Sequence, residues 1–356
     1  MTNKKTLIAM SGGVDSSVAA YLVKNMGIDC IGATMKLFNG YEEEARPNSC
    51  CSASDVEDAK SVAYKLGMPY YVFNFTDKFS ECVIDKFVNA YEHGATPNPC
   101  IDCNRYLKFE KLYQRAMELK ADYVVTGHYA RVERDGQTGR FLLKKAEDHT
   151  KDQSYVLYSL TQEQLSHTLF PLGELKKTEV RQIAEKCGFI NARKHDSQDI
   201  CFVQNGKYSD FIENYMNKTY PPGDFIDKNG HVLGKHKGII RYTVGQRRGL
   251  GIAYEHSLYV ISINPSDNTV TLGDEKDLYT DSLIAGDVNL ISAESIDKPM
   301  RIKAKVRYSQ GESDAVISPS ELGIKVVFDT PQRAVTKGQA VVFYDGDTVI
   351  GGGTII

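Results

Sequence analysis

From Lys4 to about Val203, short apolar runs alternate with amphipathic segments. Thr6-Leu7-Ile8-Ala9-Met10 reads as a buried strand, and Val18-Ala19-Ala20-Tyr21-Leu22-Val23 beyond it as a helix. Ile28 to Met35 reads as a second strand. Ser54, with Glu57 three residues on, predicts the capped start of a helix. Tyr70 to Phe75 is β-branched and aromatic, hence a third strand. Phe79, Val83, Phe87 and Tyr91 recur at helical spacing and read as core. Arg105 to Lys120 predicts another helix, feeding the strand Tyr123-Val124-Val125 and then Thr126-Gly127-His128. Such alternation predicts a parallel α/β sheet. Ligands of such sheets bind off the carboxyl ends of the strands. That rule places the turn after Met10, Met35 and Gly127 on one rim.

Past Gln204 the texture changes. Pro221-Pro222-Gly223 and glycines 230, 234, 238, 245, 249 and 251 mark turns in a small middle segment. From Leu283 onward short alternating runs recur, at Arg301–Arg307, Gly323–Phe328 and Gln339–Tyr344, and predict an antiparallel β-barrel. Three domains are expected: 1–204, 205–280 and 281–356. In the first barrel run Arg301, Lys303, Lys305 and Arg307 share one face of a period-two strand, either a solvated exterior or a phosphate-facing stripe.

Composition changes this picture little. At 356 residues, 42% hydrophobic and 25% charged, the chain reads as a soluble multidomain protein. No apolar run approaches the roughly 20 residues of a membrane helix, and the N-terminal run is too short for a signal peptide. A cytoplasmic place without a membrane partner is expected. Net charge is −3, yet Lys228 to Arg248 holds six Lys or Arg, two His and no acid. That run reads as a solvated face or as a nucleic-acid contact.

The turn itself is the informative chemistry. Ser11-Gly12-Gly13-Val14-Asp15-Ser16-Ser17 lies between strand and helix, where paired glycines allow close backbone approach and helix N–H groups favour an anion. A Walker loop needs GxxxxGK[ST], and no Lys stands here. The pattern resembles the pyrophosphate loop of enzymes that cleave ATP between its α- and β-phosphates. Asp15, too acidic to meet phosphate, is expected to hold Mg2+.

Eight cysteines in a large chain without a signal point to thiol chemistry or metal binding rather than to disulfide staples. Cys100-Ile101-Asp102-Cys103 follows the stiff Thr96-Pro97-Asn98-Pro99 and precedes the Arg105 helix, whose N-terminus eases thiol ionisation. Cys201 lies in Asp196-Ser197-Gln198-Asp199-Ile200-Cys201-Phe202. A structural zinc short of one ligand, a redox pair and a sulfur-handling site all suit this pattern. Cys30, Cys82 and Cys187 read as buried hydrophobes, and Cys50 and Cys51 have no assigned role.

Taken in order, SGGVDSS, TPNPxxxCN before LKF, TGHYAR, KDQSY, ICF, GQRRGLGIA and GQAVVFYDGD…GGG resemble the tRNA-specific 2-thiouridylase family along essentially the whole chain. The resemblance implies an N-terminal pyrophosphate-loop ATPase domain, a small central domain and a tRNA-binding barrel. It implies ATP-dependent 2-thiolation of the wobble uridine of tRNA, those for Lys, Glu and Gln, with AMP and pyrophosphate released. ATP would meet Ala9, Met10, Ser11, Gly12, Gly13, Val14, Asp15 and Ser16, with Met35 and Gly127 around adenine. Cys103 falls on the nucleophile and Cys201 on the persulfide carrier, pairing as a disulfide after turnover. The sulfur donor would be a cysteine desulfurase or a relay protein. Contacts to tRNA fall on Asn98, Pro99 and Cys100 at the target base, then His128, Lys151, Asp152, Gln153, Arg307, Tyr308 and Gln339.

One position departs from the family. Many members carry Asp where this chain has Cys100, a candidate acid–base group. The substitution makes Cys100, Cys103 and Cys201 a possible three-thiolate set for an iron–sulfur cluster, an alternative to persulfide relay. In another class, an amide-forming pyrophosphate-loop synthetase would share the loop and leave the thiols unexplained.

Overall fold

The computed structural model describes residues 4–38, 53–196, 200–203 and 207–356. Cys50, Cys51, Ser197, Gln198, Asp199 and the expected boundary at 204/205 lie outside the described residues. Strands β1 (Lys5–Ala9), β2 (Asp29–Lys36), β3 (Tyr70–Asn74) and β4 (Tyr123–Val125) run parallel. A hairpin of β5 (Arg131–Arg134) and β6 (Phe141–Lys144) leaves the sheet, and β7 (Thr168–Leu169) returns to it in the order β3-β2-β1-β4-β7. Adjacent side chains of one strand face opposite layers, so Leu7 and Val124 belong to one apolar cluster, Ile8 and Val125 to the other. Helices α1 (Val14–Asn25) and α2 (Ala53–Lys65) contribute Val18, Ala59 and Val62 to the second cluster. Ser54 is therefore inside the first turn of α2 rather than capping it.

The helical stretch 76–92 buries Phe79, Val83, Phe87 and Tyr91 as the spacing predicts, all at most 5% exposed. The next helix starts earlier than expected. Asn98 caps it by accepting the Cys100 N–H at 3.2 Å, Pro99 fills the first position, and helical geometry continues through Glu118. Residues 103–111 follow a wider π-type winding. Cys100 and Cys103 thus lie within the helix, not in the loop ahead of it.

The middle segment forms a four-stranded sheet of β8 (Gly223–Ile226), β9 (Val232–His236), β10 (Tyr259–Asn264) and β11 (Thr269–Gly273). Its Phe225, Val260 and Val270 continue the first cluster of the N-terminal sheet. The final part is a six-stranded antiparallel barrel of β12 (Tyr279–Leu290), β13 (Met300–Lys305), β14 (Ser313–Ser320), β15 (Gly323–Arg333), β16 (Ala340–Asp345) and β17 (Thr348–Ile355), closed by β12 on β17. Closure explains the terminal glycines: a Cβ on Gly351 would lie 2.3 Å from the Asn289 carbonyl oxygen. The β5–β6 hairpin pairs with β17, so the N-terminal part contributes two strands to the barrel sheet. Among the described residues no helix is long and apolar enough to cross a membrane.

Candidate nucleotide and thiol sites

The glycine loop joins β1 to α1 on the rim formed by the carboxyl ends of the strands. Gly12 has φ +75°, and a Cβ there would sit 2.3 Å from the Asp55 carbonyl oxygen, so only glycine fits. Inside the loop the Ser16 hydroxyl donates to the Gly13 carbonyl at 3.1 Å and accepts the Ser11 N–H at 3.2 Å. Asn191 bridges the Gly12 carbonyl and the Ser17 hydroxyl, both at 2.9 Å, and Lys194 pairs with Asp55 and Asp58 above the loop. A Cβ on Gly127 would lie 2.7 Å from the Ser16 nitrogen, which puts that residue directly against the start of α1. Met35, next to the last residue of β2, lies on the same rim, half-buried, with Ala9 and Met10 leading into the turn.

Asp15 sits in the first turn of α1. Its Oδ1 accepts from the Tyr129 hydroxyl at 2.8 Å, and Lys177 holds both carboxylate oxygens at 2.7 and 2.8 Å. Burial and the adjacent carboxylate push the Tyr129 hydroxyl well up, keeping it a donor. Lys177 also reaches Asp196, 2.8 Å away, which pairs with Lys151 and Arg181 as well. Burial alone would raise the Asp196 carboxyl, but hydrogen bonds from Lys151 and Lys177 bring it down to about 2. Magnesium is commonly held by one or two carboxylates together with substrate phosphates. Asp15 fits that role on condition that Lys177 lets go of it.

The thiols occupy different depths. Cys100 is exposed, whereas Cys103 and Cys201 are half-buried against one and the same apolar cluster. Phe202, next to Cys201, anchors that segment edge-on to Phe79 and Phe87, with ring centroids 5.7 and 5.2 Å apart. Among the described residues no three His, Cys, Asp or Glu side chains gather closely enough to hold a metal ion.

The residues expected at tRNA divide into two groups. Asn98, Pro99, Cys100 and Tyr308 belong to one neighbourhood. The Tyr308 hydroxyl donates to the Asp152 carbonyl at 3.2 Å, and burial, Asp152 and Cys100 all raise its pKa. Gln153 accepts the Tyr129 N–H at 3.0 Å, so the 151–153 segment lies beside the nucleotide rim. His128, by contrast, is only 7% exposed, with its ring against Phe109 and Phe170. Burial and Lys108 hold it neutral, well below the ordinary imidazole range. Arg307 and Gln339 act as braces in this structure. The Arg307 guanidinium donates to the carbonyl of Ala334 and the hydroxyl of Thr336, both at 2.7 Å, and the Gln339 amide donates to the Thr96 carbonyl at 2.7 Å.

Charge patterns looked stronger in the sequence than they prove in space. Lys228, Lys235 and Arg241 of the basic run pair with Asp277, Asp224 and the Asp210/Glu213 pair. Arg301 of the barrel stripe pairs with Asp329, and Lys303 stands opposite Asp314. Lys177 carries no sequence signal at all, being a lysine at a helix start. Tyr129 and Asp196 do lie inside recognisable motifs.

Comparison with known proteins matches this layout. Family models described as "tRNA methyl transferase HUP domain", "tRNA methyl transferase PRC-barrel domain" and "Aminomethyltransferase beta-barrel domain" match residues 4–205, 209–274 and 280–355. The chain is 53% identical over 354 residues to the tRNA-specific 2-thiouridylase MnmA of Clostridioides difficile, covering 99% of this chain and 98% of that one. It is also 53% identical over 358 residues to the protein of that name from Acetivibrio thermocellus, with all of both chains covered. At this identity over the full length of both chains, the chain belongs to the tRNA-specific 2-thiouridylase family.

Proposed function

We propose that this chain uses ATP to replace the 2-oxygen of the wobble uridine of tRNA with sulfur, acting in the cytoplasm on the tRNAs for Lys, Glu and Gln. The observation that carries the proposal is the pairing of the two sites. A glycine turn on the carboxyl rim of the sheet and two thiols on one apolar cluster stand in one N-terminal domain, and barrel residues hold Thr96, ahead of the helix that carries Cys100 and Cys103. A uracil oxygen is a poor leaving group. The 2-oxygen first attacks the α-phosphorus of ATP, pyrophosphate departs along the Gly12–Gly13 turn, and an adenylated base results. Bound magnesium supplies charge neutralisation to the polyphosphate.

Sulfur then arrives from a Cys201 persulfide, loaded by a cysteine desulfurase or a relay protein. Its terminal sulfur attacks the activated carbon, and AMP leaves with the former carbonyl oxygen. The Cys103 thiolate attacks the inner Cys201 sulfur, releasing the thiocarbonyl and forming a Cys103–Cys201 disulfide that an external dithiol must reduce. The target base belongs to an anticodon loop, which suits recognition of a splayed nucleotide by Asn98, Pro99 and Cys100.

The test is direct. Purified protein with ATP, unmodified tRNA and a sulfur donor is expected to yield 2-thiouridine and pyrophosphate in equal amounts. Pyrophosphate release that ignores tRNA would favour an amide-forming synthetase. A product nucleoside carrying a methyl group in place of sulfur would overturn thiolation.

A further inference from the structure

The loop carboxylate is already engaged. Lys177 grips both oxygens of Asp15 and reaches Asp196, and the whole residue is only 9% exposed. Its backbone N–H is fixed to Asp148 at 2.9 Å, so the ammonium pivots from an anchored base. An anion approaching the Gly12–Gly13 turn meets Asp15 as a like charge. A magnesium ion approaching Asp15 meets Lys177 as a like charge, and two cations at contact distance on one carboxylate repel strongly. One exchange relieves both conflicts: the metal takes the carboxylate, and the ammonium takes the anion.

We propose that Lys177 is a hand-off cation, bound to Asp15 before nucleotide arrives and to the outer phosphates, then the departing pyrophosphate, once magnesium occupies Asp15. The proposal rests on the assignment of ATP to this loop. Asp196 makes the exchange feasible. It keeps Lys151 at 2.8 Å and Arg181 at 2.9 Å, so a swing of Lys177 toward the ligand leaves no carboxylate unpaired. Asp196 also stays close enough to tether the ammonium beside the loop throughout. Tyr129 remains on Asp15 and fixes its orientation for the metal.

Calorimetric titration of the full-length protein with inorganic pyrophosphate, and separately with AMP, tests the hand-off without any turnover. In wild type, magnesium is expected to strengthen pyrophosphate binding at least tenfold. Lys177→Met is expected to weaken pyrophosphate at least tenfold with magnesium present while leaving AMP within twofold. Lys177→Arg, which keeps the charge, is expected to restore most of that loss. Asp15→Asn has the opposite sign in metal-free buffer: with Lys177 released, pyrophosphate binds at least threefold tighter than in wild type, and the magnesium effect vanishes. Equal losses of AMP and pyrophosphate in Lys177→Met would reduce Lys177 to a structural brace and overturn the inference. So would weaker metal-free binding in Asp15→Asn. Wild type that binds neither ligand would instead remove the ATP site itself.

Discussion

The side-chain amide of Gln339, in the barrel, donates to the main-chain carbonyl of Thr96 at 2.7 Å, while the Thr96 N–H donates to the Lys337 carbonyl at 2.8 Å. Two hydrogen bonds from the last domain thus hold the segment that leads into Cys100 and Cys103. Each is worth about 1 kcal/mol net, so their effect lies in placing the loop rather than in global stability. Gln339→Ala is expected to lower the rate of thiolation several-fold at saturating tRNA while melting within a few degrees of wild type. A pure tRNA contact would instead raise the tRNA dissociation constant and leave the saturated rate alone. Steady-state kinetics against tRNA concentration separate the two.

Cys103→Ser and Cys201→Ser are each expected to abolish thiolation while tRNA-dependent pyrophosphate release continues, because adenylation precedes sulfur transfer. Cys100 is exposed, whereas Cys103 and Cys201 are half-buried, and the relay chemistry places no sulfur on it. Cys100→Ser and Cys100→Asp should therefore retain substantial activity. Loss of activity together with loss of bound iron in Cys100→Ser, measured on anaerobically purified protein, would return the iron–sulfur alternative.

His128 gives the molecule a pH dependence of predictable sign. Its neutral form is favoured by burial and by Lys108, so its folded pKa lies below the unfolded value of about 6.5. Between those two values the unfolded state binds more protons, and stability rises with pH. The stabilising contribution is complete above about 6.5 and is lost as pH falls toward the folded value. Wild type should lose up to about 1.4 kcal/mol per pH unit below 6.5 relative to His128→Gln. Denaturant titrations of both proteins from pH 8 to pH 5 measure the difference, and parallel curves would contradict it.

The barrel stripe should divide along its length. Arg301 is neutralised by Asp329 and Lys303 faces Asp314, so the Arg301→Ala, Lys303→Ala pair is expected to leave the salt dependence of tRNA binding nearly unchanged. Lys305 is packed over the rings of Tyr155 and Tyr308 at 5.7 and 5.5 Å, and Tyr308 in turn feels the Cys100 thiol. Lys305→Ala should reduce the slope of log affinity against log salt by about one. A larger change in the double variant than in Lys305→Ala would restore the whole stripe as a phosphate track.

Local chain physics made much of this protein legible from its residues. Continuous apolar or β-branched runs marked β1 to β4, because strands covered on both faces are apolar throughout, and a 3.6 period marked the 76–92 helical stretch. The Gly12–Gly13 turn read as a phosphate loop because paired glycines before a helix N-terminus let backbone N–H groups approach an anion, while the contact of Gly12 with the Asp55 carbonyl appeared only in the fold. Tertiary structure alone decided the rest, for reasons of charge and distance. Arg301, Lys228 and Lys235 read as open positive charge until strands and loops remote in the chain brought carboxylates to them. His128 read as a surface contact until Phe109 and Phe170 closed over it. Lys177 follows Asp15 by more than a hundred and fifty residues, and no spacing rule connects them. Only the packing of its helix beside α1 places an ammonium on the loop carboxylate.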